Sequence, residues 1–491
     1  MDANAIGGVL LPAGLWLLVA AGVPPQHHRR LAAASLIALA IATLTLVGWG
    51  YAFAFGSQWR ALGLGDDEER WVFLGLYGFF LQGVTDAENL SRLVRLWPLI
   101  AAGALLAASA ALYHARLAAL AFFAFIVSGL ILPVVACWGW GDGWLVALGE
   151  HAGLGRGMVD AGRLATVGLA TGAASLTWAR IASSPEQAAG VPQLPPVHFP
   201  VRAVAGVLIV MIGAAVLSSD FVPNAPAFSS AQFVSSAVAV SVAILTAGLY
   251  TSFATRHTDV LSAARAALAG VFITSSGGAL LPLPVVIGLG LFCGLAATIG
   301  YYVVHEQWRW RDEAAIVTSV LLPSAVGLIC TGIFANGSYG VAGLLSTADL
   351  AAGQLLAQTA GLFAIGMFAL GVGRAATWLL RVESVRADSP SAQDMPDAVA
   401  APSPSGPSAV YKPQSVTEQP ERESATEKVA PEPARRSLFG RFRRESAAPP
   451  PPKQPRKVAY PYRVGRRPLS TRPLDGESAE AAGNGTQDRN A

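Results

Sequence analysis

The sequence predicts an all-α membrane protein: a polytopic bundle of about eleven transmembrane helices, over residues 1–381, followed by a polar tail, 382–491. Three observations carry this. Of its 491 residues 53% are hydrophobic and only 13% charged, about half the charge of a soluble chain. Mean hydropathy is +0.47. The charge is also unevenly placed: the first lysine is Lys412, inside the tail.

Apolar runs long enough to cross a bilayer lie near 7–23, 31–55, 95–113, 117–137, 158–181, 201–219, 231–253, 260–275, 283–304, 314–334 and 352–381. Each approaches the roughly 20 residues that a spanning helix needs. WVFLGLYGFFLQGV, 71–84, is apolar but too short, and reads as an interfacial or re-entrant piece. The first run lacks a basic leader and reads as a retained span. Small residues recur through the runs, as in TGAAS and SSGGAL, and let helix backbones approach closely in lipid. Arginines collect in or beside odd-numbered loops, at Arg29, Arg30, Arg116, Arg180, Arg202, Arg256, Arg265, Arg309 and Arg311, while Arg60 and Arg70 in the second loop are offset by Asp66, Asp67, Glu68 and Glu69. The positive-inside rule then places the chain in the cell membrane as a multi-pass protein, N-terminus outside and C-terminus cytoplasmic.

The tail is rich in Pro, Ser, Glu and Arg, with PSPSGPS and PPPP, and its composition predicts disorder. Within it, RRSLFGRFRR at 435–444 reads either as a solvated basic patch or as a site for a cytoplasmic partner or anionic lipid. Cys137, Cys293 and Cys330 show no disulfide or zinc spacing, and no phosphate loop, HExxH or GxSxG elbow stands in a fitting context. The reading is therefore not an enzyme, with no cofactor, no metal and no nucleic-acid partner; the bilayer is the obvious environment.

ACWGWGDGW, 136–144, crowds Trp138, Trp140 and Trp144 into one glycine-rich break. LPVVACWGWG, 132–141, resembles a stretch of the ammonium transporter (Amt/Rh) family. The likeness continues through EHAGLGRGMVDAG, 150–162, and is matched in order by VGWGYAFAFG at 47–56, FLQGV at 80–84 and the run ending in CTGIFA at 330–335. The resemblance implies a homotrimer of eleven-helix protomers, each with its own pore and built from two inverted five-helix repeats. It implies passage of a small cation or neutral solute, ammonium, ammonia or a similar molecule. It places Trp140 at the outer vestibule, where a cation would gather on the indole face. An interfacial aromatic belt is the other reading of Trp140, and the favoured one for Trp144.

The family's two pore histidines fall on Met158 and Val320, and none of the seven histidines lies mid-membrane. The family's phenylalanine gate falls near Ala101 and Ala215, with Phe221 off register. Glu150 matches the family's aspartate at the outer mouth. Asp160 stands where the family has asparagine, and Arg163 follows at i+3, so the two could pair on one helix face. Asp160 thus reads as a structural ion-pair member or as a carboxylate on the substrate path. Ser218, Ser219 and Asp220 read as a vestibule group or as a simple helix end. The substrate-binding set is Trp140, Glu150, Asp160, Met158 and Val320. Loss of the histidines and gate leaves an alternative, a non-conducting membrane scaffold or sensor acting through its tail.

Overall fold

The computed structural model describes residues 7–65, 70–113, 115–181, 197–218, 221–222, 225–312, 314–346 and 352–384. The expected tail beyond 384, its basic segment at 435–444, and Ser219 and Asp220 lie outside the described residues.

The described chain is helical with one small hairpin. Helix α1 covers Leu10–Gly22. Helix α2 runs from His28–Thr45 through a π-turn at Leu46–Gly50 into Tyr51–Phe55. Helix α3 is Ala87–Ser109. Helix α4 joins Leu117–Ile126 to Leu132–Trp140 through a π-turn at Val127–Ile131. Short α5, Trp144–Ala152, precedes α6, Leu164–Ile181. The second half holds α7, Pro200–Leu217, α8, Pro226–Thr255, and α9, Val260–Ser275. Helix α10 starts as Leu283–Leu295 and continues through π-turns to Gln307, and α11 passes from a π-turn at Val317–Leu321 into Leu322–Phe334. Helix α12 is Gly353–Ser384.

Among the described residues eight helices are long and apolar enough to cross a membrane, and α1 and α9 are shorter apolar helices. With α6 these are the eleven expected spans, and the molecule is a multi-pass membrane bundle. The stretch 71–84, expected as an interfacial or re-entrant piece rather than a span, holds the strand Trp71–Gly75, paired antiparallel with Ala61–Leu64, and a short turn at Phe79–Leu81. One expectation is corrected. The fifth span does not begin at residue 158, because helical structure starts only at Leu164.

Proline explains two of the π-turns. Pro133 has no N–H, so the Gly129 carbonyl loses its helical donor. The chain widens there, with the Leu132 N–H reaching back to the Val127 carbonyl. Trp49 Nε1 then donates to the freed Gly129 carbonyl at 2.6 Å. Helix α11 repeats the pattern: Leu322 bonds back to Val317 just before Pro323. Helices α1 and α7 pack backbone to backbone. A Cβ placed on Gly213 would lie 2.5 Å from the Leu11 nitrogen, and one on Gly14 would lie 2.6 Å from the Val210 nitrogen. The corresponding helices of the two halves start alike. Asp86 caps α3 and Asp259 caps α9, each followed six residues later by an arginine, Arg92 and Arg265.

Candidate functional site

The tryptophan break divides its work. Trp138 Nε1 donates to the Phe73 carbonyl at 2.9 Å, and Trp138 stacks edge-on against Trp144 with centroids 5.9 Å apart. Trp144 lies 6.3 Å from the Phe73 ring. These two hold the hairpin against the end of α4. Gly143 makes this possible, since a Cβ there would fall 2.1 Å from the Cys137 carbonyl oxygen.

Trp140 instead lines a cavity of about 200 Å³ with Phe55, Gln58, Arg92, Arg95, Gly141, Asp142 and Arg163. Three guanidiniums face one lining carboxylate. The aromatic face of Trp140 thus sits among guanidinium groups, of which Arg92 is paired with Glu88 at 2.7 Å. Nearby Phe221 already carries a guanidinium: the Arg156 Cζ lies 5.3 Å from its ring centroid.

Met158 lies past this mouth, in the non-helical segment between α5 and α6, and is 2% exposed. Its N–H donates to the Leu145 carbonyl at 2.8 Å. Its thioether fills the space over Gly361, where a Cβ would meet Met158 Sδ at 2.4 Å. Two buried glutamines of α12 hold the segment. Gln354 accepts from the Arg156 N–H at 3.0 Å and donates to the Gly157 carbonyl at 2.8 Å. Gln358 accepts from the Val159 N–H at 3.1 Å and donates to its carbonyl at 2.8 Å. The sequence reading passed over both. Their spacing, four apart at the head of an apolar span, was the available signal, since a buried polar side chain in lipid needs a partner. Val320 is 1% exposed in the α11 π-turn and belongs to the same packed core as Met158. Met158 and Val320 are thus two buried apolar side chains of one packed core.

Asp160 is 4% exposed, and its Oδ2 accepts from the Thr166 N–H at 2.6 Å. It does not share a helix face with Arg163: α6 begins at Leu164, and Arg163 has a left-handed φ of 62°. Asp160 therefore caps the start of α6. Asp312, also passed over, does the same for α11, accepting from the Ile316 and Val317 N–H groups at 2.7 and 2.8 Å. Glu150 is exposed at the end of α5 and is not among the residues lining the cavity. Ser218 is buried and donates to the Ala215 carbonyl at 2.7 Å, the bond of a simple helix end.

Between the two capped helices the interior is polar. Thr171 and Ser175 on α6, and Thr318, Ser319 and Ser324 on α11, are at most 2% exposed. Their hydroxyls have no hydrogen-bond partner among the described residues. Helices α6 and α11 meet closely, Ser324 Oγ lying 2.1 Å from where a Gly168 Cβ would stand.

The fold is that of an integral, multi-pass helical membrane protein, with a cavity beside Trp140 and orphaned hydroxyls between two packed helices. The chain belongs to the Ammonium Transporter Family, whose model matches residues 3–390. It is similar to ammonium transporter Amt2 of Archaeoglobus fulgidus, 24% identical over 391 residues that cover 76% of this chain and 80% of that one. It is also 24% identical, over 350 residues, to ammonium transporter 1 member 3 of Solanum lycopersicum, covering 67% and 73% of the two chains. Its fold is similar to the crystal structure of Saccharomyces cerevisiae Mep2, with TM-score 0.65 at 21% identity, over 78% of this chain and 86% of that one. The scaffold or sensor alternative is not favoured by these relatives, and the family is one of transporters rather than enzymes.

Proposed function

We propose that this transporter moves ammonia, drawn from ammonium or a similar small amine, as the neutral molecule through the interior between α6 and α11. The observation that carries this reading is the set of five buried hydroxyls without partners. A buried hydroxyl left unpaired costs about 1–3 kcal/mol, so these groups call for water or a passing polar solute. A neutral amine both donates and accepts hydrogen bonds, and a hydroxyl offers both complements. An ion would fare worse, because charge desolvation in the core is expensive.

Trp140 lines the mouth of the proposed path, Asp160 fixes the start of α6, and Met158 and Val320 form its constriction. With no imidazole at either position, a histidine proton relay has no groups to work through. The proton therefore stays outside and transport is electroneutral. The proposed setting is a homotrimer in the cell membrane, with Trp140 on the outer face and the tail in the cytoplasm.

Proteoliposomes test this with methylammonium as the probe. Uptake should rise with pH, following the neutral fraction of the amine, and solid-supported membrane recordings should show no current. A current carried with the substrate would reject neutral passage. Uptake no greater than in empty liposomes would reject transport itself.

A further inference from the structure

We propose that the interior between α6 and α11 also conducts water, held on the hydroxyls of Ser175, Thr318 and Ser319. The proposal rests on the path read above for a neutral amine and adds a second solute to it.

Helix register brings the three hydroxyls together. A Cβ on Gly168 would lie 2.1 Å from Ser324 Oγ, and one on Gly172 would lie 2.6 Å from Leu321 Cβ. Residue numbers rise along α6 as they fall along α11, so the two helices run antiparallel. Three residues further along each, Ser175 comes level with Thr318 and its neighbour Ser319. This level lies away from the tryptophan break, since α6 starts beside it: Thr166 Oγ1 is 3.8 Å from where a Gly139 Cβ would stand.

The three hydroxyls are at most 2% exposed and have no hydrogen-bond partner among the described residues. The α11 π-turn adds a backbone acceptor. Pro323 brings no N–H to the Ser319 carbonyl four residues back. In α4 the same loss at Gly129 is met by Trp49 Nε1 at 2.6 Å, whereas no side-chain donor reaches the Ser319 carbonyl among the described residues. Single π-turns inside α-helices gather at functional sites.

Such a set suits water. A buried water makes about three hydrogen bonds to polar groups that the protein leaves unsatisfied. Each hydroxyl both donates and accepts, and the carbonyl accepts. Water, with two donors and two acceptors, answers this mixed set more evenly than ammonia, with three donors and one acceptor. A hydroxyl lining therefore has no means of rejecting water in favour of ammonia. Size gives none either. Water has one heavy atom and methylamine two, so a constriction at Met158 and Val320 that passes methylamine passes water.

The full-length protein in proteoliposomes is tested by stopped-flow light scattering after an osmotic step, with methylammonium uptake measured on the same vesicles. Water flux above that of empty liposomes is expected. Thr318→Val keeps the side-chain shape, removes the hydroxyl and should lower water flux about threefold, the worth of one hydrogen bond. The Ser175→Ala/Ser319→Ala double variant should lower it further. Because these hydroxyls lack partners, their removal should leave the melting curve close to that of the wild type. Ser241→Ala, at an exposed site on α8 where the hydroxyl bonds the Ala237 carbonyl at 2.7 Å, should leave water flux unchanged. Water flux equal to that of empty liposomes, in vesicles that do take up methylammonium, would overturn the proposal and leave the amine reading standing. Water flux at the wild-type level in both hydroxyl variants would overturn it as well. Water flux without methylammonium uptake would support it and reject the amine. Absence of both fluxes would reject the path, and this proposal with it.

Discussion

Met158 shows how one side chain sets the interior. It packs its thioether over Gly361 with 2% exposure. Truncation to alanine removes most of a buried side chain, at a cost of about 2–5 kcal/mol. It should also widen the constriction. We expect Met158→Ala to melt at lower temperature and to pass more methylammonium per folded protein in proteoliposomes; lower flux at equal protein would show that the constriction does not limit passage. Gln358 is one of two glutamines that hold the segment carrying this side chain. Its amide satisfies both backbone groups of Val159. Gln358→Leu leaves both unpaired, about 1–3 kcal/mol each. Differential scanning fluorimetry should show the loss, and Gln358→Glu should recover part of it, since a carboxyl can still accept from the Val159 N–H.

At the scale of elements, close backbone approach decides which helices can pair. Gly213 of α7 stands where a Cβ would meet the Leu11 nitrogen at 2.5 Å, backbone that cannot rotate away. Gly213→Val should force α1 from α7 and lower the yield of monodisperse protein on size exclusion, while Gly288→Val, at a position with nothing within 4 Å, should not. The α4 π-turn makes a second element-scale prediction. Trp49→Phe keeps the ring but removes the donor to the Gly129 carbonyl, which Pro133 cannot supply. A stability loss of about 1–3 kcal/mol is expected, and a Trp49→Phe/Pro133→Ala double variant should recover part of it by restoring an N–H. Recovery reported by thermal melts would tie the turn to the missing proline donor.

Across the whole molecule, arginine placement predicts a direction of insertion. Arg29, Arg30, Arg180 and Arg202 lie in the end turns of their helices, and Arg256, Arg309 and Arg311 just past helix ends, all at the helix ends opposite Trp140. On the positive-inside rule that end is cytoplasmic. A cysteine introduced at Ser338, in a background lacking Cys137, Cys293 and Cys330, should react with an impermeant maleimide in intact cells. Labelling only after permeabilisation would reverse the orientation.

Much of the bundle was legible in the sequence because lipid imposes a simple demand: every span must be long, apolar and internally hydrogen-bonded. Run length alone therefore located the spans, and ordered local motifs carried the family resemblance. The hairpin at 61–75 was less legible, because its short apolar strand gains its partner from residues across a loop and its anchor from Trp138. The candidate site was legible only by residue. Trp140, Met158, Asp160 and Val320 could be named, but not their surroundings. Arg92 and Arg95 belong to α3 and Arg163 to the turn before α6, and only folding brings them around Trp140. The same holds for the orphaned hydroxyls of α6 and α11 and for the glutamines of α12. Composition and hydropathy are properties of the chain, fixed residue by residue. The charge of a cavity and the pairing of a buried polar group are sums over segments far apart in sequence, and the tertiary structure alone decides them.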